Sequence, residues 1–157
     1  MMGAELKLTF SPVWLNVRRI RHEVGNLLES CSPDLRSSAM MTASELVENA
    51  IKYGEGVPAS ENVSFHLEAS DEGIRIEVAN GSTNKQGVCE LERRIREITT
   101  VEDKQALYVA RLSELLSHPG DSGKLGIYRI GFEGGFDLRV DYTDHVVTVT
   151  ATRKLDG

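Results

Sequence analysis

"SELVENAIKYG", residues 44–54, decides how the rest of this chain is read. Ala43, Leu46, Val47, Ala50 and Ile51 recur at the three- and four-residue spacing of a helix stripe that faces a core. Glu45 and Asn49 are four residues apart, so they are neighbours on one helix face, outside that stripe. Glu48 and Lys52 form a second such pair, of the kind that adds about 0.2–0.5 kcal/mol on a solvated face. A solvated face explains the glutamates and the lysine. It explains the asparagine less well, because asparagine is a mediocre helix former and is commoner at caps. Its amide oxygen is a neutral hard ligand suited to Mg²⁺, and a glutamate beside it can accept a proton or orient water.

Working outward, Ser32-Pro33 with Asp34 in the first turn predicts the start of this helix, and Gly54 its C-terminal cap after Tyr53. An earlier Ser11-Pro12 predicts another helix to about Glu29, with Val13, Leu15, Val17, Ile20, Val24, Leu27 and Leu28 as its apolar side. Trp14 on that helix is read as core or interface. Residues 5–10 alternate as a strand. Residues 54–61 read as a loop, and two alternating stretches, 62–70 and 73–80, meet at the turn "SDEG". "GSTNKQGV" (81–88) breaks the pattern. Helices are expected over about 89–98 and 102–117, then a glycine-containing loop to 126 and a short helix. Residues 136–142 and 145–153 form a last hairpin. This order lacks the strand–helix alternation of a doubly wound fold. It predicts an α+β sandwich, a mostly antiparallel sheet with helices on one face.

The 157 residues suit one domain with its own core. With 40% hydrophobic and 27% charged residues the composition is globular, and a net charge of -6 argues against nucleic acid or an anionic membrane as partner. Cys31 and Cys89 lack the spacing of a zinc site or a disulfide framework. His22, His66, His118 and His145 show no metal-ligand spacing and are assigned surface or packing roles. No basic segment leads into an apolar run at the N-terminus, and no 18-residue apolar stretch occurs, so a cytoplasmic location is expected.

"ELVENAIKYG" closely resembles the N-box of the GHKL ATPase and kinase superfamily, which includes DNA gyrase, mismatch-repair ATPases, sensor histidine kinases and the small anti-sigma-factor serine kinases. The layout extends over nearly the whole chain: "IEVANGS" stands where the first glycine box ends a strand, an insert follows at about 84–120, and "SGKLGIYRI" stands where a second glycine motif opens a helix. The resemblance implies a Bergerat-type ATP-binding fold with a mixed, mostly antiparallel sheet. It implies Glu45 as general base and Asn49 as Mg²⁺ ligand in a Mg-ATP site. Lys52 stands either near phosphate or on plain surface. Gly123, Lys124 and Gly126 fall in the second motif, whose backbone N–H groups can bind phosphate, with Lys124 where a glycine is expected.

The chain departs most from the family at Asn80 and Gly81, where an aspartate-led D-x-G-x-G is expected. An asparagine carbonyl still accepts from an adenine amino group, through a weaker uncharged bond, and its NH₂ can also donate. An ordinary strand-ending Asn-Gly turn explains the same residues without a ligand. Thr148 or Thr150 is placed loosely near the nucleotide, and β-propensity accounts for both equally well. The resemblance implies a bacterial regulator of the anti-sigma-factor type, transferring the ATP γ-phosphate to a serine or threonine of a small partner, anti-anti-sigma-like or sigma-factor-like. A homodimer is in keeping with such kinases. The competing reading is a module that kept the fold, lost nucleotide chemistry and regulates its partner by binding alone.

Overall fold

The computed structural model describes residues 3–53, 63–117 and 125–155. In chain order the elements are β1 (Ala4–Phe10), α1 (Leu15–Leu27), α2 (Pro33–Tyr53), β2 (Val63–Ala69), β3 (Gly73–Gly81), α3 (Lys85–Thr100), α4 (Lys104–Ser117), α5 (Gly126–Phe132), β4 (Asp137–Thr143) and β5 (Val146–Lys154). The strands form one sheet in the order β1-β2-β3-β5-β4. Each described pairing is antiparallel, so the mixed sheet that the resemblance implied is antiparallel throughout these residues. The expected turn at 70–73 forms, with Ser70 and Gly73 exchanging backbone hydrogen bonds. Asp144 and His145 close the last hairpin with φ of 53° and 64°, the left-handed pair of a two-residue turn whose twist matches the strands it joins.

Period-two alternation divides the sheet into two faces. Phe65, Leu67, Ile74, Ile76, Val78, Val147, Val149 and Ala151 point inward and are buried. The register aligns Lys7, His66, Glu77, Thr150 and Arg139 in one polar row across all five strands on the other face. Helix α2 lies over β2 and β3, its buried Ala43, Leu46, Val47 and Ala50 matching the stripe read from sequence. Ser32 caps it as expected, its Oγ accepting from the Leu35 N–H at 3.3 Å. Helix α1 packs on α2 through Ile20, Val24 and Leu28.

Helix α1 begins three residues later than Ser11-Pro12 predicts, and no side chain caps it. The Ser11 carbonyl is instead taken by the Val13 N–H and by Asn16 Nδ2, which closes a local turn before the helix. Trp14 is 60% exposed and Leu15 73% exposed, so neither belongs to the core. The reason is angular: Leu15 precedes the buried Ile20 by five residues, and at about 100° per residue it points roughly 140° away from it. Helix α3 begins four residues earlier than the expected 89, because Asn84 Oδ1 accepts from the Gly87 N–H at 2.9 Å and caps its first turn.

Candidate functional site

Three elements meet where the sequence places a site. Helix α2 supplies Glu45 and Asn49, the end of β3 supplies Asn80 and Gly81, and the start of α5 supplies Gly126. Lys52 is exposed in the last turn of α2. Gly123 and Lys124, and the expected cap Gly54, lie outside the described residues.

Glu45 and Gly126 are in close approach. A Cβ added at Gly126 would land on the Glu45 carboxylate, so only glycine fits there while Glu45 keeps its position. The other carboxylate oxygen lies 3.5 Å from Arg129 Nη1. Burial pushes the Glu45 carboxyl above the usual carboxylate range, and Glu48 adds to the rise, while Arg129 and Arg21 oppose it. A carboxylate held in this way is a better proton acceptor than one in water.

Asn49 is 8% exposed and Asn80 9% exposed. Both line a cavity of about 20 Å³, together with Val88 and Leu91 of α3 and Val147 and Val149 of β5. Among the described residues Asn49 Nδ2 is buried without a hydrogen-bond partner. A buried unsatisfied amide costs about 1–3 kcal/mol, which a helix that needed only packing would avoid with leucine or alanine. Asn80 Nδ2 donates to the Gly81 carbonyl at 3.2 Å, and this settles the amide's orientation, since its oxygen would repel that carbonyl. The donor is thereby engaged by the chain itself.

Past Asn80 the chain is committed to launching α3. The Ser82 N–H donates to the His145 carbonyl at 2.8 Å, and Ser82 Oγ accepts from the Asn84 N–H at 3.1 Å. Tyr142 Oη donates to the Ser82 carbonyl at 2.7 Å. These bonds explain the missing D-x-G-x-G: the segment is a fixed strand-to-helix connection ending in the Asn84 cap. Asn84 and Ser82 were missed in the sequence because both sit in a polar run that reads as a loop. A cap residue three positions before a glycine and four before a valine was the available signal.

Thr148 and Thr150 face away from this site. They line a groove with Arg75, Glu77, Arg139 and Asp141 on the polar side of the sheet, so the loose placement near a nucleotide is corrected. The same side holds His66, whose Nε2 lies 2.9 Å from Glu5 and 3.1 Å from Glu68. The imidazole hydrogen bond holds the Glu5 carboxyl below its ordinary range.

A Mg-nucleotide can be tested against this donor set. Glu45, with its raised basicity, suits the role of proton acceptor, and the carbonyl oxygen of Asn49 that of a neutral ligand, while its orphaned Nδ2 is a donor for an acceptor such as a phosphate oxygen. The cavity does not suit a nucleotide in this conformation: about 20 Å³ holds roughly one water, whereas ligand pockets run to about 300–1,000 Å³. Among the described residues, the donor types suit the group and the volume of this cavity does not.

No family model matches this sequence, and no curated protein matches it. Among solved structures, the crystal structure of the RsbU and RsbW domains of Rv1364c from Mycobacterium tuberculosis superposes with a TM-score of 0.56 at 14% identity, over 98% of this chain and 33% of that one. This chain therefore spans about a third of the length of the chain it resembles. At that identity the likeness establishes the two-layer α+β fold: a five-stranded antiparallel sheet with helices against it.

Proposed function

We propose that this chain is a regulator of the anti-sigma-factor serine/threonine kinase type, which binds Mg-ATP between α2, β3 and α5 and acts on a small partner protein. The observation that carries the reading is Asn49, a buried amide whose Nδ2 has no partner among the described residues, one turn from a half-buried glutamate of raised basicity. The fold shared with a chain that contains an RsbW domain supports it. Bound Mg²⁺ would reduce the charge on the phosphates, as in phosphoryl transfer generally. Asn49 would supply a neutral oxygen to the ion. Glu45 would take the proton of the partner's hydroxyl, the group that would accept the γ-phosphate from ATP with ADP as the leaving group. Gly126 leaves room for the Glu45 carboxylate to hold its place. Asn80, with its NH₂ turned to Gly81, would offer its carbonyl oxygen to the base.

Titration calorimetry of the wild type and Asn49→Ala with ATP, with and without Mg²⁺, tests this. The expected result is micromolar binding by the wild type that Asn49→Ala weakens about tenfold or more only when Mg²⁺ is present, the loss of one metal ligand being worth roughly that factor. Equal loss in both conditions assigns Asn49 a packing role and removes it from the metal site.

One observation favours a second reading, a binding module without nucleotide chemistry. Val88 and Leu91 are buried and line the small cavity that Asn49 and Asn80 share. Under this reading α3 is a permanent part of the core, and partner binding ignores ATP and survives Asn49→Ala.

A further inference from the structure

The polar face of the sheet carries a group of side chains that the Mg-ATP reading does not use. Glu5 of β1 and His66 and Glu68 of β2 bring two carboxylate oxygens and one imidazole nitrogen within 4.8 Å of one another. His66 follows Glu5 by 61 residues, so no local spacing announces the cluster. The β1–β2 register creates it: Glu5 stands directly opposite Glu68, and Lys7 opposite His66. His66 and Glu68 share the face because they are two residues apart on one strand. The backbone beneath them is paired without a break from Ala4↔Ala69 to Phe10↔Val63. The imidazole is held between its neighbours, its side chain 21% exposed, while the carboxylates of Glu5 and Glu68 are 56% and 52% exposed and free to adjust.

Two features of this cluster point to a cation. Like charges directly opposite on neighbouring strands are destabilising, and Glu5 and Glu68 are so placed. Lys7 and the His66 hydrogen bond both favour the charged form of Glu5. Glu68 is served less well: Arg75, opposite it on β3, is taken by Glu77 at 2.7 Å. The second feature is the nitrogen itself. Nε2 of His66 lies 2.9 Å from Glu5 and 3.1 Å from Glu68, and in either protonation state it carries at most one hydrogen for two acceptors. A divalent ion takes a lone pair from all three atoms at once. Bonds of about 2.0–2.2 Å to a tetrahedral ion set its ligand atoms roughly 3.3–3.6 Å apart, a few tenths of an ångström beyond the present separations. We propose that Glu5, His66 and Glu68 bind a divalent transition-metal ion of the Zn²⁺ class, through Nε2 and one oxygen of each carboxylate, with a fourth position open to water. An imidazole beside two carboxylates suits Zn²⁺ better than Mg²⁺ or Ca²⁺, which prefer oxygen throughout. The ion would fasten β1, at the edge of the sheet, to β2 through side chains as well as through the backbone.

Calorimetric titration of the full chain with Zn²⁺, without nucleotide and at neutral pH, tests the site. The expected result is binding that Glu5→Gln, Glu68→Gln and His66→Gln each weaken by about tenfold or more, glutamine keeping the size of the glutamates while removing their charge. Zn²⁺ at a hundredfold excess over its dissociation constant should raise the wild-type melting temperature by about 5–10 °C, and the variants should lose most of that gain. The ¹⁵N signal of His66 Nε2 should move as Zn²⁺ is added, which ties the binding to this ring. No binding by the wild type overturns the proposal. So does equal affinity in wild type and variants, which would place the ion on other side chains. Binding that depends on His66 and ignores both glutamates overturns the three-ligand site. Binding that depends on the glutamates and ignores His66 assigns the cluster to an oxygen-bound ion, and overturns the transition-metal class.

Discussion

Alanine at position 134 is expected to lower the melting temperature by about 6–12 °C, the equivalent of roughly 3 kcal/mol at this chain length. A Cβ built on Gly134 lies 2.7 Å from the Ile130 carbonyl oxygen, 2.9 Å from Thr42 Oγ1 and 3.2 Å from Met41 Cε. The methionine can turn aside. The carbonyl cannot: it belongs to the last turns of α5 and already accepts from the Phe136 N–H at 3.3 Å. Nor can Gly134 retreat freely, because its own carbonyl accepts from Ser38 Oγ of α2 and from Arg153 Nη1 of β5, the latter at 3.0 Å. Relief of the clash thus breaks a hydrogen bond that joins α2 or the sheet to the end of α5. Overpacking of this kind costs about 1–3 kcal/mol and a lost bond to a buried carbonyl about 1–3 more, so 3 is a moderate figure. Gly3→Ala is the control, since its Cβ would meet only the Ala69 carbonyl at an ordinary 3.8 Å. A thermal melt showing Gly134→Ala within about 2 °C of wild type, less than the shift for 1 kcal/mol, would mean that the α5–β4 connection is free to move.

What was legible in the sequence was local. The stripe of α2, its Ser32 cap, and the inward alternation of Phe65, Leu67, Ile74, Ile76 and Val78 all follow from periods of 3.6 and 2 within single elements. The pairing of Glu45 with Asn49 was legible for the same reason. The alternation of Val147, Val149 and Ala151 also placed Thr148 and Thr150 on the polar face, and it should have outweighed a loose family alignment. Other features depend on contacts between distant residues. Ser11-Pro12 has the composition of a helix start, yet the Ser11 carbonyl is drawn into a turn by Asn16, and the buried side of α1 is fixed by where Ile20 and Val24 meet α2. The insert was legible as helical. That Val88 and Leu91 line one cavity with Asn49 was not, because an amphipathic stripe does not name the surface it will cover.

Replacing Glu45 by glutamine is expected to have two effects of opposite sign. Transfer of phosphate to the partner should fall by about 10²–10⁴, the usual contribution of a positioned general base. Stability should rise at neutral pH. The sign follows from the direction of the shift: burial is the largest cause and raises the carboxyl above its unfolded value, so the folded state binds the proton more tightly. The stability associated with that proton is fully present below the unfolded value and is lost as pH rises through the folded one. Glutamine is neutral at every pH and does not lose it. The melting temperature of Glu45→Gln should therefore pull ahead of wild type as pH rises out of the carboxylate range, and the two should converge in acid. Arg129 works against this, but its 3.5 Å approach is longer than a charge-assisted hydrogen bond and the guanidinium is also engaged by Glu133 at 3.0 Å. A variant that melts lower than wild type at neutral pH would show that the Arg129 pair outweighs desolvation, and would recast Glu45 as a structural anchor for α5. A gain in stability joined to a loss of transfer has a different meaning. It identifies a carboxylate kept in an unfavourable place because its basicity there is used, a combination that neither a solvated helix face nor a packing residue produces.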